Sequence, residues 1–402
     1  MMGKKILVVC LVLLFHCISM GEIVAALDES QQEEQENEGS IDAIKDEQLE
    51  QLNLEDIQTF WDQLLKEYGP FLPESQKGSF HEFLREDTGF SLKEWIIAFF
   101  RFILHEIIAN GKLMGTLILL ALFSAIVKTF QHAFENEAVN KTAYSVIFIV
   151  MLVIAINSFY VAMSYVEETI AHMVHFMTAL LPLMLALLAS TGSLASAGLF
   201  HPLVMFLIQT SGLLVQHVVL PLLFFSALMS IVSSLNDHIK VTKLADLLQK
   251  TAVGILGCFF TIFIGVISGQ GATMAVTDGM AIKTVKYFAG NFIPVIGRMF
   301  TDAADTVLGA SVLLKNTIGV AGVVILFVIC AFPALKVLVI GFIFHFTAAV
   351  IQPIGEGPLL DSLSTLGKTV IFMFASLALV AFMFFIAITF IVASGNISLM
   401  VR

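Results

Sequence analysis

The sequence predicts an all-α, polytopic helical membrane protein with about nine transmembrane helices and a small helical extracytoplasmic N-terminal region. Of the 402 residues, 58% are hydrophobic and 13% are charged, whereas about 25% of the residues of an ordinary soluble domain are charged. After residue 112 the apolar residues form runs long enough to cross a bilayer, which takes about 20 residues per helix. Two membrane helix blocks are expected, at 113–271 and 317–402, with a charged segment at 272–316 between them.

Residues 1–26 have the pattern of a secretory signal peptide. A basic start with Lys4 and Lys5 precedes an apolar run, and Ala25 and Ala26 supply the small residues that a cleavage site requires. The apolar run is short for a transmembrane helix, which disfavours the alternative of a retained anchor. Cleavage would leave the residues that follow outside the cytoplasm.

The acidity of the chain is confined to the segment after the signal peptide. Residues 27–94 carry 19 acidic and 5 basic side chains, so the net charge of −11 arises there. Within this segment, residues 27–52 are rich in Glu and Gln and poor in apolar side chains, which predicts a disordered linker. Nucleic acid is not expected as a partner, because phosphate binding needs clustered Lys and Arg.

Residues 53–112 predict an amphipathic helical region. Apolar residues recur at helical spacing up to Tyr68, where Gly and Pro end the helix. A short second helix and a third that begins at Ser91, with a capping box to Glu94, should follow. The third helix contains Arg101, and charges inside lipid cost a few kcal/mol each. We therefore expect it at the membrane surface or packed on the bundle.

Charges and turn residues divide the apolar part of the chain into candidate spans. No charge occurs between residues 169 and 236, where two spans plus a re-entrant hairpin would also fit. The nine candidate spans are 113–130, 142–165, 170–190, 199–219, 221–235, 251–271, 317–335, 337–354 and 369–393.

Loop charges predict the orientation. With residues 27–112 outside, Lys240 and Lys336 would lie in cytoplasmic loops and Glu167 outside, in agreement with the tendency of basic residues to remain in the cytoplasm. Segment 272–316 is the exception, because this topology places its four basic residues outside. Either the number of preceding spans is wrong, or a basic extracytoplasmic loop serves a purpose, and we prefer the second explanation.

The charged segment 272–316 is the candidate functional site. Its length predicts a polar, partly helical or re-entrant region, since structureless connections rarely exceed about 15 residues. Polar residues spaced by three and four share one helical face, which a water-filled path or a partner-binding surface would use. An interfacial helix with its polar face in water fits equally well. The candidate residues for a conduit or partner face are Arg298, Asp302, Asp305, Lys315, Asn316 and Asp278.

Motifs of common enzymes and metal sites are missing from the sequence. It contains neither a P-loop nor a G-x-S-x-G motif. His105 begins a match to H-E-x-x-H, but Ala109 replaces the second histidine. His172 and His175 lie one helical turn apart with only Glu168 nearby, which favours ordinary interfacial histidines over a metal site. We therefore expect no catalytic residues, no metal and no cofactor.

The chain contains three long, distinctive stretches: EYGPFLPESQKGS at 67–79, HEIIANGKLMGTLILL at 105–120, and GNFIPVIGRMFTDAADTVLGASVLLKN at 290–316. Together they resemble the stage III sporulation protein AE family of endospore-forming bacteria, over a region from about residue 53 to the end. The resemblance implies a multi-pass protein of the mother-cell membrane around the forespore, in a channel-like complex that supports late forespore gene expression. Implied partners are other stage III sporulation A-type membrane proteins, indirectly the forespore-side channel partner, and the lipid bilayer.

Two hypotheses from different classes follow from the residues and the resemblance together. In the first, the protein forms or lines a conduit with its partners through the polar face of segment 272–316. In the second, it is a non-conducting membrane scaffold that docks ring-forming partners through its acidic N-terminal helices.

Overall fold

The computed structural model of the chain describes residues 54–85, 91–131, 137–191, 194–235, 240–292, 296–353 and 357–400. Within these ranges every regular element is helical, as the sequence predicts. The expected signal peptide and acidic linker lie outside the described residues.

The N-terminal region consists of three helices: α1 (Glu55–Tyr68), α2 (Phe80–Arg85) and α3 (Leu92–Ala109). The prediction of a capping box at the start of α3 is wrong, because the side chain of Ser91 makes no capping hydrogen bond to the backbone of the helix. A capping box occurs instead at α2, where the carboxylate of Glu82 accepts a hydrogen bond from the backbone N–H of Ser79 at 2.8 Å and the Ser79 hydroxyl accepts one from the Glu82 N–H at 3.3 Å.

The remaining helices are longer. They are α4 (Gly111–Gln131), α5 (Glu137–Ser190), α6 (Leu194–Leu214), α7 (Leu220–Leu235), α8 (Thr242–Phe292), α9 (Ile296–Ile351) and α10 (Pro358–Met400), with a π-helical turn (Val215–Val219) between α6 and α7. In the described part of the chain, five helical stretches are long and apolar enough to cross a membrane, and α3 with α4, bent by 49°, would make a sixth. The predicted count of nine is not confirmed.

Three predicted boundaries between spans are wrong. Helix α5 continues through Glu167 and Glu168, and α9 continues through Lys336, while α6 joins α7 through the π-helical turn just before Pro221. Glu and Lys are good helix formers, so one or two charged residues do not end a helix. The π-helical turn accommodates the proline, which cannot donate a backbone hydrogen bond.

Helices α5, α9 and α10 form the centre of the bundle. Helix α10 returns antiparallel to α9, so that Lys315 near the start of α9 contacts Val392 near the end of α10. Helix α5 also runs antiparallel to α9, since Leu180 faces Gly322 and Tyr165 lies beside Lys336. Helix α4 packs along α5 and α9, and α6, α7 and α8 cover the other side.

The N-terminal helices pack on the middle of α9 through aromatic side chains. Tyr68 of α1 stacks on Phe332, with ring centroids 4.6 Å apart. Phe102 of α3 meets the edge of the same ring at 4.8 Å, and Trp95 contacts Phe327 at 5.6 Å. Large aromatic rings bury much apolar surface and add favourable edge and stacked contacts. Helix α3 is therefore packed on the bundle, which is one of its two predicted locations.

Candidate functional site in helix α9

The predicted polar residues belong to α8 and α9. Asp278 is part of α8, while Arg298, Asp302 and Asp305 belong to the first turns of α9. A continuous helix brings residues separated by three and four positions to one side, in agreement with the predicted spacing. The side chains of these four residues are outside the described part of the structure, and their role as a polar face stays a prediction.

Lys315 is fully buried in an otherwise apolar stretch of α9. Its Nζ donates a hydrogen bond to the carbonyl oxygen of Val392 in α10 at 2.9 Å, and Ser311, one turn earlier, is buried on the same side of the helix. Removing a lysine ammonium from water costs several kcal/mol unless polar partners compensate. Lys315 therefore ties α9 to α10 in a defined register.

Asn316 adds a second polar group at the same level. Its Oδ1 is buried and has no hydrogen-bond partner among the described residues. A buried acceptor without a partner costs about 1–3 kcal/mol. The Asn316 amide oxygen is suited to accept a hydrogen bond from a substrate or a partner helix.

Two glycines let neighbouring helices approach α9 beside Lys315. A Cβ atom at Gly319 would collide with the side chain of Val392, and one at Gly322 would collide with that of Leu180 in α5. Small residues permit such close backbone approach in membrane bundles. Lys315 and Asn316 thus lie where α5, α9 and α10 pack closely, and residues 310–320 belong to a continuous helix rather than to the alternative re-entrant hairpin.

A second polar cluster surrounds Lys336, in the last third of α9. Its Nζ lies 4.0 Å from a carboxylate oxygen of Glu67 in α1. It also lies over the rings of Tyr68 and Tyr165, at 5.8 Å and 5.4 Å from their centroids. An aromatic face attracts a cation within about 6 Å. Lys336 therefore connects the N-terminal region to both α9 and α5.

Burial and carboxylates from three helices raise the pKa of the Tyr68 hydroxyl in this cluster. Burial raises the pKa of the Tyr68 hydroxyl well above its ordinary value, and the carboxylates of Glu67, Glu168 and Glu106 raise it further. These carboxylates belong to α1, α5 and α3, respectively. The Tyr68 hydroxyl therefore remains protonated at physiological pH, and Lys336 lies beside one of these carboxylates, that of Glu67.

Sequence reasoning missed the Lys336 cluster. It places Lys336 in a cytoplasmic loop and residues 27–112 outside, yet Lys336 and Glu67 are 4.0 Å apart. Two groups in contact cannot lie on opposite sides of a bilayer, so these two predicted placements exclude each other. A single lysine in an apolar run also predicts an ion pair with an acidic residue that is distant in the sequence. In this chain the acidic N-terminal region could supply that residue.

Metal ligands do not assemble in the described residues. No three His, Cys, Asp or Glu side chains among them lie close enough together to hold a metal ion. His172 and His175 are exposed on α5. Cys258 of α8 and Cys330 of α9 are free thiols.

Comparisons with known proteins agree with the earlier resemblance. Residues 75–395 match the family model described as stage III sporulation protein AE. The chain is 50% identical over 381 residues to the stage III sporulation protein AE of Bacillus subtilis (strain 168), and the alignment covers 95% of each chain. No solved structure matches the chain.

Proposed function

Because the chain belongs to the stage III sporulation protein AE family, we propose that it is a membrane component of a channel-like sporulation complex. In this proposal it resides in the mother-cell membrane around the forespore, with its N-terminal region outside the cytoplasm. It lines a conduit together with other stage III sporulation A-type membrane proteins and thereby supports late forespore gene expression.

The observation that carries the proposal is the buried polar pair in α9. Lys315 is held at the meeting point of three apolar helices, and the neighbouring amide oxygen of Asn316 is buried. An apolar core would pack as well without a cation, since replacing buried charges with apolar groups of similar volume is often neutral or stabilising. A polar pair buried among apolar helices therefore favours a functional role for this level of the bundle.

A non-conducting scaffold is the second candidate function, and one feature of α1 favours it. Five charged residues of α1 are exposed while its apolar face packs on the bundle. Such a rigid, charged surface is suited to docking a partner, because charge complementarity gives specificity and speeds association. The exposed charged residues are Glu55, Asp56, Asp62, Lys66 and Glu67.

Two variants separate the candidates. Lys315→Met keeps nearly the volume of the side chain and removes its charge, and a combined Arg298→Ala, Asp302→Ala, Asp305→Ala variant removes the predicted polar face. Each is expressed with an affinity tag in sporulating cells, and both recovery of the complex and a late forespore reporter gene are measured. Lys368→Met, which changes an exposed lysine of α10, is the matched control.

A conduit predicts that both variants assemble normally while forespore expression falls, and that the control changes neither. A scaffold predicts that recovery of the complex falls with forespore expression, above all in an Asp62→Lys variant of α1. If both α9 variants preserve assembly and expression, the conduit proposal is overturned.

A further inference from the structure

The exposed charges of α1 fix one constraint on where the bilayer can lie. All five charged side chains of α1 are exposed, including Glu67, which pairs with Lys336, and placing a charge in the hydrocarbon costs at least about 2.5 kcal/mol on insertion scales. Helix α1 must therefore lie in water or among lipid headgroups. The parts of α5 and α9 that it covers cannot be at the centre of the bilayer on that side.

Helix α1 covers the middle and not the ends of the two long helices. Phe60 contacts Phe176 of α5, with ring centroids 5.4 Å apart. Tyr68 stacks on Phe332 of α9, and Glu67 pairs with Lys336. The level of Lys336 is therefore close to a membrane surface.

The exposed side of α5 changes character at this same level. Between 145 and 165 it is mainly apolar, and between 166 and 190 it carries no large apolar side chain. The exposed residues of the first half are Ser145, Val146, Ile149, Val150, Val153, Asn157, Tyr160 and Val161. Those of the second half are Glu168, His172, His175, Pro182, Ala186 and Ser190.

The lengths agree with a boundary at this position. The apolar stretch Ser145–Ser190 has 46 residues, which at 1.5 Å per residue is roughly 69 Å and about twice the thickness of the hydrocarbon core. The half from 145 to 165 is roughly 31 Å long, which matches the core of about 30 Å. Tyr160 and Tyr165 lie at its end, and tyrosines concentrate at membrane interfaces.

Helix α4 has the same properties as the first half of α5. It packs on α5, and its 21 residues extend roughly 31 Å. Its exposed large apolar residues are Leu119, Leu122, Phe123 and Ile126. Since only residues 132–136 separate its end from the start of α5, α4 and the first half of α5 form one antiparallel pair.

We propose that the lipid hydrocarbon covers α4 and residues 145–165 of α5, and that residues 166–190 of α5 project beyond the bilayer on the side of α1. Below, residues 145–165 are called the lipid-facing segment and residues 166–190 the projecting segment. The projecting segment packs against the first half of α9, where Leu180 meets Gly322, so Lys315 and Asn316 belong to an extramembrane part of the bundle. The large apolar side chains of the projecting segment are buried or half-buried, so they pack within the protein and face no lipid.

Site-directed spin labelling tests the proposal on the full chain in liposomes of phosphatidylcholine and phosphatidylglycerol. Single cysteines replace Val150 and Val153 in the lipid-facing segment, and His172 and Ala186 in the projecting segment, in a background with Cys10→Ser, Cys17→Ser, Cys258→Ser and Cys330→Ala. All four labelled positions are exposed, so a nitroxide replaces no buried contact. The measurement compares collision of each nitroxide with oxygen, which concentrates in lipid, and with a water-soluble nickel chelate.

The expected result is a reversal of the accessibility ratio along one helix. Oxygen should dominate at positions 150 and 153, and the nickel chelate at positions 172 and 186, as it should for a Lys66→Cys control in α1. Oxygen dominance at position 186 would overturn the proposal, because the projecting segment would then lie in lipid. Nickel dominance at position 150 would overturn it as well. Each variant must also restore sporulation in cells that lack the native chain, which shows that it folds.

Discussion

Two lysines on α9 show two ways in which a cation can be accommodated by a long apolar helix. Lys315 has no exposed surface and donates to a backbone carbonyl of α10. Lys336 follows 21 residues later, roughly 32 Å along the axis, with 22% of its side chain exposed beside a carboxylate and two tyrosine rings. The first is enclosed by the three central helices, and the second joins them to the N-terminal region.

The two environments differ in how they compensate for the loss of hydration of the lysine ammonium group. A buried cation gains little from a distant charge and depends on the few polar atoms within reach, so its position is sensitive to geometry. A half-exposed ion pair retains part of its hydration and is screened by salt, so it contributes little on average. We therefore expect changes at Lys315 to be costly when they leave an uncompensated buried charge or disturb packing, and changes at Lys336 to be mild.

Reversal of charge at position 315 should have the largest effect. In Lys315→Glu, a buried carboxylate would face the carbonyl oxygen of Val392, which can only accept hydrogen bonds, and an uncompensated buried charge costs about 3–5 kcal/mol. Thermal unfolding of the purified protein in detergent should show a correspondingly lower midpoint, or the chain should fail to accumulate.

The matched variant is Lys315→Met, which fills nearly the same volume without charge. Its stability should lie within about 1.5 kcal/mol of the native chain. Equal destabilisation by Glu and Met would mean that the hydrogen bond to α10, and not the burial of charge, governs this position.

The two lysines also show how much of this fold the sequence can predict. Composition and long apolar runs correctly predict an all-helical structure with several helices long and apolar enough to cross a membrane in its described part, and Tyr68 correctly marks the end of α1. The predicted division into spans is wrong because a hydropathy pattern indicates a boundary wherever a charged residue interrupts an apolar run. Lys336 lies inside a continuous helix and its partner Glu67 is 269 positions earlier in the sequence, and local patterns carry no information about such distant contacts.

For the candidate site, the sequence predicts the polar positions but not their environment. Lys315 and Asn316 are identifiable as polar residues between apolar ones, while their burial depends on Gly319 and on how closely α10 approaches. A glycine three or four residues from a polar position is common in membrane helices. Only the packing partner, Val392, shows that this glycine is required.

Overpacking at Gly319 should have the second largest effect. In Gly319→Val, the new side chain would collide with Val392 and Met184 and separate α9 from α10, at a cost of about 1–3 kcal/mol. The control is Gly257→Val in α8, where a Cβ atom meets no neighbour. A lower unfolding midpoint for position 319 alone checks the prediction, whereas equal midpoints would show that the contact between α9 and α10 adjusts without strain.

The smallest effect should come from the ion pair at Lys336. A double-mutant cycle with Lys336→Met and Glu67→Gln should give a coupling energy of about 0.2–1 kcal/mol, because 58% of the Glu67 side chain is exposed and exposed pairs are weak. The coupling should fall as ionic strength rises, since screening acts on exposed charges, while the effect of Lys315→Glu should not. A coupling above this range that resists salt would place Lys336 in the same class as Lys315, and the N-terminal region would then be held by a desolvated charge and not chiefly by its aromatic contacts with Phe332.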